Sequence, residues 1–204
     1  MKIALVALSF VFSFLLINAR IRAGEAVASA STADLLDPPR FEVAVESAYL
    51  MCILNNPHGY EVAAEFLTGR VRWGVNQSDS WLRGYQQFYV SGEVQPIVRG
   101  VENHYFGLNF GMRYNFVPRN SRWNPYFSGG LGLGWIDSNA AVGGSQGQDF
   151  TFNILSAIGV AYRVNDRWKV DAGLLWEHFS NGGQTDPNPS LNLLGPQFAI
   201  SYTF

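Results

Sequence analysis

Cysteine is almost missing from this 204-residue chain. Cys52 is the only one, so no internal disulfide can form. Charge is scarce too: charged residues make up 15% of the chain, no more than the aromatic share of 15%. The formal net charge is −2, so the basic excess that a nucleic-acid surface requires is absent. After the first 17 residues, no apolar run approaches the roughly 20 residues of a membrane-spanning helix. Metal-ligand spacing is also wanting. His58 and His104 stand near predicted loop ends, but no third ligand falls at a recognisable interval.

What is present begins with Met1-Lys2 and an apolar stretch over 3–17. A charged start followed by a short apolar run has the form of a secretory signal peptide. Ala28-Ser29-Ala30 fits a small-residue cleavage site, and Ala26 offers a second. The expected division is a signal peptide over 1–30, a lead-in over 31–40 containing Pro38-Pro39, and one β-domain over 41–204. Removing 1–30 takes away Lys2, Arg20, Arg22 and Glu25, which moves the formal charge from −2 to −4. Cys52 lies too far from the apolar run for Tyr49-Leu50-Met51-Cys52 to be a lipoprotein signal.

A chain rich in aromatics and poor in charge must hide its apolar surface somewhere. The pattern of 106–116 shows how. Phe106, Leu108, Phe110, Met112, Tyr114 and Phe116 alternate with Gly107, Asn109, Gly111, Arg113 and Asn115. Period two predicts a strand with one large apolar face and one small or polar face. Phe198, Ile200, Tyr202 and Phe204 repeat the pattern at the C-terminus, and a final aromatic with Tyr two residues earlier resembles the sorting signal of outer-membrane barrels. Eight strands can be placed near 41–51, 60–73, 81–95, 102–117, 124–136, 150–164, 168–180 and 192–204. Each has at least the 9–11 or so residues a tilted strand needs to cross a bilayer. The prediction is an all-β fold: an eight-stranded antiparallel transmembrane β-barrel of the bacterial outer membrane. Both termini would be periplasmic, placing 52–59, 96–101, 137–149 and 181–191 at the cell surface. A soluble lipocalin-like carrier fits less well, because such a fold needs an apolar interior.

Two strands have no clear facing. Glu61, Glu65, Arg70 and Arg72 do not sort by parity, nor do Gln86 and Gln87. The run 129–134 alternates glycine with Leu131 and Leu133; it is no phosphate loop, and its glycines are expected to let a narrow barrel curve.

Candidate chemistry lies on the last two strands. Val170, Ala172, Leu174 and Trp176 share the lipid-facing parity, and His178 and Ser180 continue it. Residues two apart on a strand share a face, so an imidazole there can take the proton of a hydroxyl as the oxygen attacks. Asn192 on the neighbouring strand has the outward parity as well and can orient the imidazole. By spacing alone, a His-x-Ser pair near a loop is most often a rim histidine beside a solvated serine.

A resemblance sharpens this. His178-Phe179-Ser180-Asn181-Gly182-Gly183, then Pro187-Asn188 and Asn192, resembles the lipid A 3-O-deacylase (PagL-like) family of eight-stranded outer-membrane esterases. The specific part of the match spans 174–204. The resemblance implies Ser180 as nucleophile and His178 as general base. It implies Asn181, Gly183 and Asn188 as loop positions of the motif, with Asn188 and the Gly183 backbone as candidates for oxyanion stabilisation. Ordinary turn roles explain the same three residues equally well. The implied substrate is lipid A of lipopolysaccharide in the outer leaflet, and no metal or organic cofactor is implied. This chain departs from the family at one point: Asn192 stands where the family's triad has a glutamate. An asparagine orients an imidazole but does not offset its charge; in serine proteases, exchanging the triad Asp for Asn lowers turnover by roughly 10⁴. Glu177 has the wrong parity to substitute, and Asp186 lies on the loop. The alternative is a catalytically silent structural or adhesin-like barrel that keeps the motif for folding.

Overall fold

Alternating side chains give eight strands, and pairing the first with the last closes them. The computed structural model describes residues 36, 38–53 and 59–204. The expected signal peptide over 1–30 lies outside these, as does His58. The strands are β1 (Phe41–Cys52), β2 (Glu61–Asn76), β3 (Gly84–Arg99), β4 (His104–Phe116), β5 (Trp123–Ile136), β6 (Phe150–Arg163), β7 (Trp168–Ser180) and β8 (Leu191–Thr203). Each pairs antiparallel with its sequence neighbours, and β1 pairs with β8. No sheet edge is left open, so every strand is paired on both sides.

The lower end carries the C-terminal residue and the short turns at 77–83, 117–122 and 164–167. The upper end carries the connections at 100–103, 137–149 and 181–190, together with Ile53 and Tyr60. From the lead-in, Leu36 packs with Tyr85 and Val117 at the lower mouth, and Arg72 Nε donates to the Pro38 carbonyl at 3.0 Å.

The register fixes how high each residue stands. Val170 pairs with Ile200, then Val45, Leu67, Gly92, Leu108, Leu133, Phe152 and finally Ser180. One circuit of hydrogen-bonded partners thus returns to β7 ten residues above its start. At about 3.3 Å per residue and a tilt near 40°, that climb is roughly 25 Å, the height of the apolar band of such a barrel. Ser180 therefore stands at the upper rim of a wall whose large side chains, such as Val170, Leu67, Leu108 and Leu133, are exposed.

The lumen is polar. In its lower half Arg70 donates to Glu42 and to Glu46, each at 2.7 Å, and Arg113 donates to Asp171 at 2.7 Å. Lys169 pairs with Glu42. Higher up, Gln95 and Asn153 each bridge the carboxylates of Glu93 and Glu177, at 2.8–3.0 Å. Buried ion pairs and packed side chains, rather than an open apolar cavity of the lipocalin kind, occupy the lumen.

The ambiguous residues of β2 and β3 now sort. Arg70 and Gln87 are buried in the lumen, whereas Glu61 and Glu65 share the outward parity of exposed Leu67. The pattern was hard to read because two register shifts interrupt the β2–β3 ladder, at Glu61/Val62 and at Arg72/Gly74. β3 was expected to stop at 95, before Pro96, which has no N–H to donate. It runs on to Arg99, and the shift beside Pro96 is the kind of irregularity at which a strand tolerates proline. The glycines of β5 make room as well as allowing curvature: a Cβ on Gly132 would lie 2.0 Å from Asn153 Oδ1 in the lumen.

Candidate active site on the outer wall

The site is built where β7 rises out of the apolar wall. Trp168, Val170, Ala172 and Leu174 are exposed, while Lys169, Asp171, Leu175, Glu177 and Phe179 are buried inward. His178 and Ser180 therefore face outward with Trp176. The rings of Trp176 and His178 stack, with centroids 6.1 Å apart and planes at 26°. Such stacking limits the swing of the imidazole.

Antiparallel pairing sets His178 opposite Asn192 on β8. His178 Nδ1 lies 3.1 Å from Asn192 Oδ1. An amide oxygen only accepts, so in this arrangement Nδ1 carries the proton and Nε2 keeps a free lone pair. That is the tautomer a general base needs. Ser180 lies two residues from His178 on the same face, about 7 Å away between Cα atoms. Its hydroxyl has no hydrogen-bond partner among the described residues. The structure thus joins His178 to Asn192 and leaves Ser180 beside them without a direct bond to the imidazole.

Beyond Ser180 the chain turns sharply. Gly182 and Gly183 both have positive φ, 68° and 73°, which a side chain would disfavour. Asn181 is fully buried and holds the turn together. Its N–H donates to Asn188 Oδ1 at 2.9 Å, its amide donates to the Thr185 carbonyl at 2.7 Å, and its Oδ1 accepts the Gly183 N–H at 2.9 Å. The three motif residues Asn181, Gly183 and Asn188 therefore form one hydrogen-bonded unit.

That unit is braced from the 137–149 connection, a contact with no signature in the sequence. Gly147 N–H donates to the Pro187 carbonyl at 2.6 Å, and Gln146 Nε2 donates to the Pro189 carbonyl at 2.8 Å. Gln148 bonds both Gln184, at 2.8 Å, and Thr185, at 2.5 Å. No local pattern links residues some 40 positions apart. Gln146 is in turn tied down by Glu102, which accepts its N–H at 3.1 Å and the Ser145 hydroxyl at 2.7 Å. In the same connection Asp137 is partly buried, which alone would raise its pKa. Hydrogen bonds from Asn103 and the backbone, with the charge of His104, outweigh that and leave it lowered.

Neither carboxylate considered as a substitute bonds to His178. Glu177 points into the lumen, bound by Gln95 and Asn153. The Asp186 backbone packs on Gly147, where a Cβ would come within 2.6 Å of its carbonyl oxygen. His104 faces Asp137 at 3.6 Å, and among the described residues no group of three acidic, His or Cys side chains is placed to hold a metal ion.

The family model described as lipid A 3-O-deacylase (PagL) matches residues 58–201. Among solved structures, the outer-membrane enzyme PagL is similar at 15% identity with a TM-score of 0.54, over 78% of this chain and 97% of that one. Neisserial surface protein A (NspA) is similar at 16% identity with a TM-score of 0.56, over 80% of this chain and 97% of that one. At such identities these likenesses establish the barrel fold alone. No curated protein matches the sequence. The family match, which covers most of the chain and includes the whole His178–Asn192 segment, places this protein in the lipid A 3-O-deacylase (PagL) family of outer-membrane β-barrels.

Proposed function

We propose that this protein removes the acyl chain ester-linked at the 3-position of lipid A, with Ser180 as nucleophile, His178 as general base and Asn192 as the residue that orients the imidazole. The observation that carries this reading is the Nδ1–Oδ1 contact of 3.1 Å on the membrane-facing wall, beside an unbonded serine hydroxyl. An ester buried in the outer leaflet reaches that wall without entering the barrel.

Ser180 Oγ attacks the ester carbonyl while His178 Nε2 takes its proton. The acyl–sugar C–O bond breaks, and the same proton passes to the departing sugar oxygen. Water then repeats the exchange on the acyl-Ser180 ester and releases the fatty acid. The negative oxygen of each tetrahedral intermediate needs donors. The Asn188 amide group is one. The Gly183 N–H is another, provided it trades its bond to Asn181 for the substrate. With a neutral amide at Asn192, the imidazolium formed in each step is oriented but not offset.

The second reading, a silent structural barrel, is favoured by the uncharged Asn192. Mass spectrometry of lipid A from outer membranes containing the wild-type protein or Ser180→Ala decides between them. The deacylase reading expects loss of one ester-linked acyl chain with wild type and none with Ser180→Ala, at equal amounts of folded barrel. Identical lipid A in both, beside correct folding, overturns it in favour of the silent barrel.

A further inference from the structure

The charges of the lumen fall into two layers. In the lower layer Arg70, Arg113 and Lys169 meet Glu42, Glu46 and Asp171, three cations against three carboxylates. The upper layer holds Glu93 on β3 and Glu177 on β7, buried to 3% and 0% exposure. Neither forms an ion pair among the described residues. Arg99, further up β3, pairs instead with Glu61 and has a side chain 65% exposed. The upper lumen thus carries two negative charges that no side chain offsets, in a setting where like charges are costly.

Amides meet part of that cost. Gln95 Nε2 donates to Glu93 Oε2 at 2.8 Å and to Glu177 Oε1 at 2.9 Å, and Asn153 Nδ2 donates to the same two oxygens at 2.8 and 3.0 Å. Each carboxylate therefore has one oxygen bonded twice. The other oxygens, Glu93 Oε1 and Glu177 Oε2, are buried with no hydrogen-bond partner, and so is Gln95 Oε1. That carbonyl belongs to the amide whose nitrogen touches both carboxylates, so it stands beside the pair.

A fourth oxygen is directed to the same level. Tyr105 pairs with Gln95, two residues above Glu93, whose own partner is Gly107. The Tyr105 ring leans down over the glycines: a Cβ on Gly107 would lie 2.4 Å from its hydroxyl and one on Gly134 2.6 Å. Gly107 and Gly134 are paired neighbours, so the hydroxyl reaches the row of Glu93 only because both lack side chains. It is fully buried and has no hydrogen-bond partner. Below this level, Ser91, Tyr89 and Thr68 line a polar cavity with room for water.

We propose that Glu93 and Glu177 hold a divalent cation of the calcium type in the upper lumen, with the Gln95 carbonyl and the Tyr105 hydroxyl as neutral ligands. The donors are all oxygen, their charge of two matches the ion, and water completes the six to eight ligands that calcium takes. A proton shared between the carboxylates is the competing arrangement, but one proton joins at most two of these four oxygens. The ion ties β3 to β7 directly behind Trp176 and His178. It is independent of the deacylase reading, since nothing in it involves Ser180.

The barrel is refolded into detergent micelles in calcium or in EDTA, freed of unbound ion, and assayed for calcium by elemental analysis and for its unfolding midpoint. One calcium per folded barrel is expected, with a higher midpoint than in EDTA. The double variant Glu93→Gln, Glu177→Gln should hold none and should unfold alike in both. Should that variant not fold, Tyr105→Phe keeps the ring against Phe179 and removes one ligand, and should bind calcium about tenfold more weakly in titration. A calcium-free wild-type barrel, as a shared proton would give, overturns the proposal. So does calcium retained by the double variant, or calcium affinity unchanged in Tyr105→Phe.

Discussion

β7 and β8 have two faces that do different work. Inward, β7 carries Lys169, Asp171 and Glu177, each fixed by partners on other strands. Outward, the same strand carries Trp176, His178 and Ser180, whose only side-chain hydrogen bond among the described residues is the one between His178 and Asn192. The inner face is held from several directions, which keeps the backbone rigid. The outer face has groups to spare. Period two lets one strand serve both ends, because adjacent residues never compete for the same side.

The comparison predicts that inward substitutions change stability and outward ones change rate. The largest effect is expected at Arg70, which is buried and bonded to both Glu42 and Glu46. Arg70→Ala leaves Glu46 without its cation and Glu42 with Lys169 alone, and should cost about 3–5 kcal/mol. Chemical unfolding in micelles measures this, and activity per folded molecule should stay as in wild type. A barrel of unchanged stability would break the distinction. A smaller effect is expected at Asn192, whose Asn192→Glu variant supplies the charge that the imidazolium lacks. Deacylation should rise about tenfold to a hundredfold with little change in unfolding midpoint. An unchanged rate would mean that position 192 is not coupled to His178 during the reaction.

Much of this could be read from the residues. Strong alternation over 106–116 and 168–180 specifies both the strands and their facing, and that facing alone assigns His178, Ser180 and Asn192 to one wall. β2 and β3 resisted because two bulges reset the parity that such reasoning depends on. The same irregularity hid the end of β3, whose position beyond Pro96 suggested a loop. The bracing of Asn181–Asn188 by Gln146, Gly147 and Gln148 was out of reach for a different reason. It joins two connections that meet only once the barrel closes, and neither carries a periodic pattern.

The central claim is that Ser180 is an activated nucleophile on the outer wall, served by His178. Fluorophosphonate labelling tests it most directly, because attack forms an Oγ–phosphorus bond, expels fluoride and needs a base for the hydroxyl proton. The account predicts one adduct per folded barrel, located at residue 180 by peptide mass spectrometry. It should be absent in Ser180→Ala and slower by about a hundredfold in His178→Ala. A folded wild-type barrel that takes no label, or one labelled equally fast without the imidazole, would contradict it.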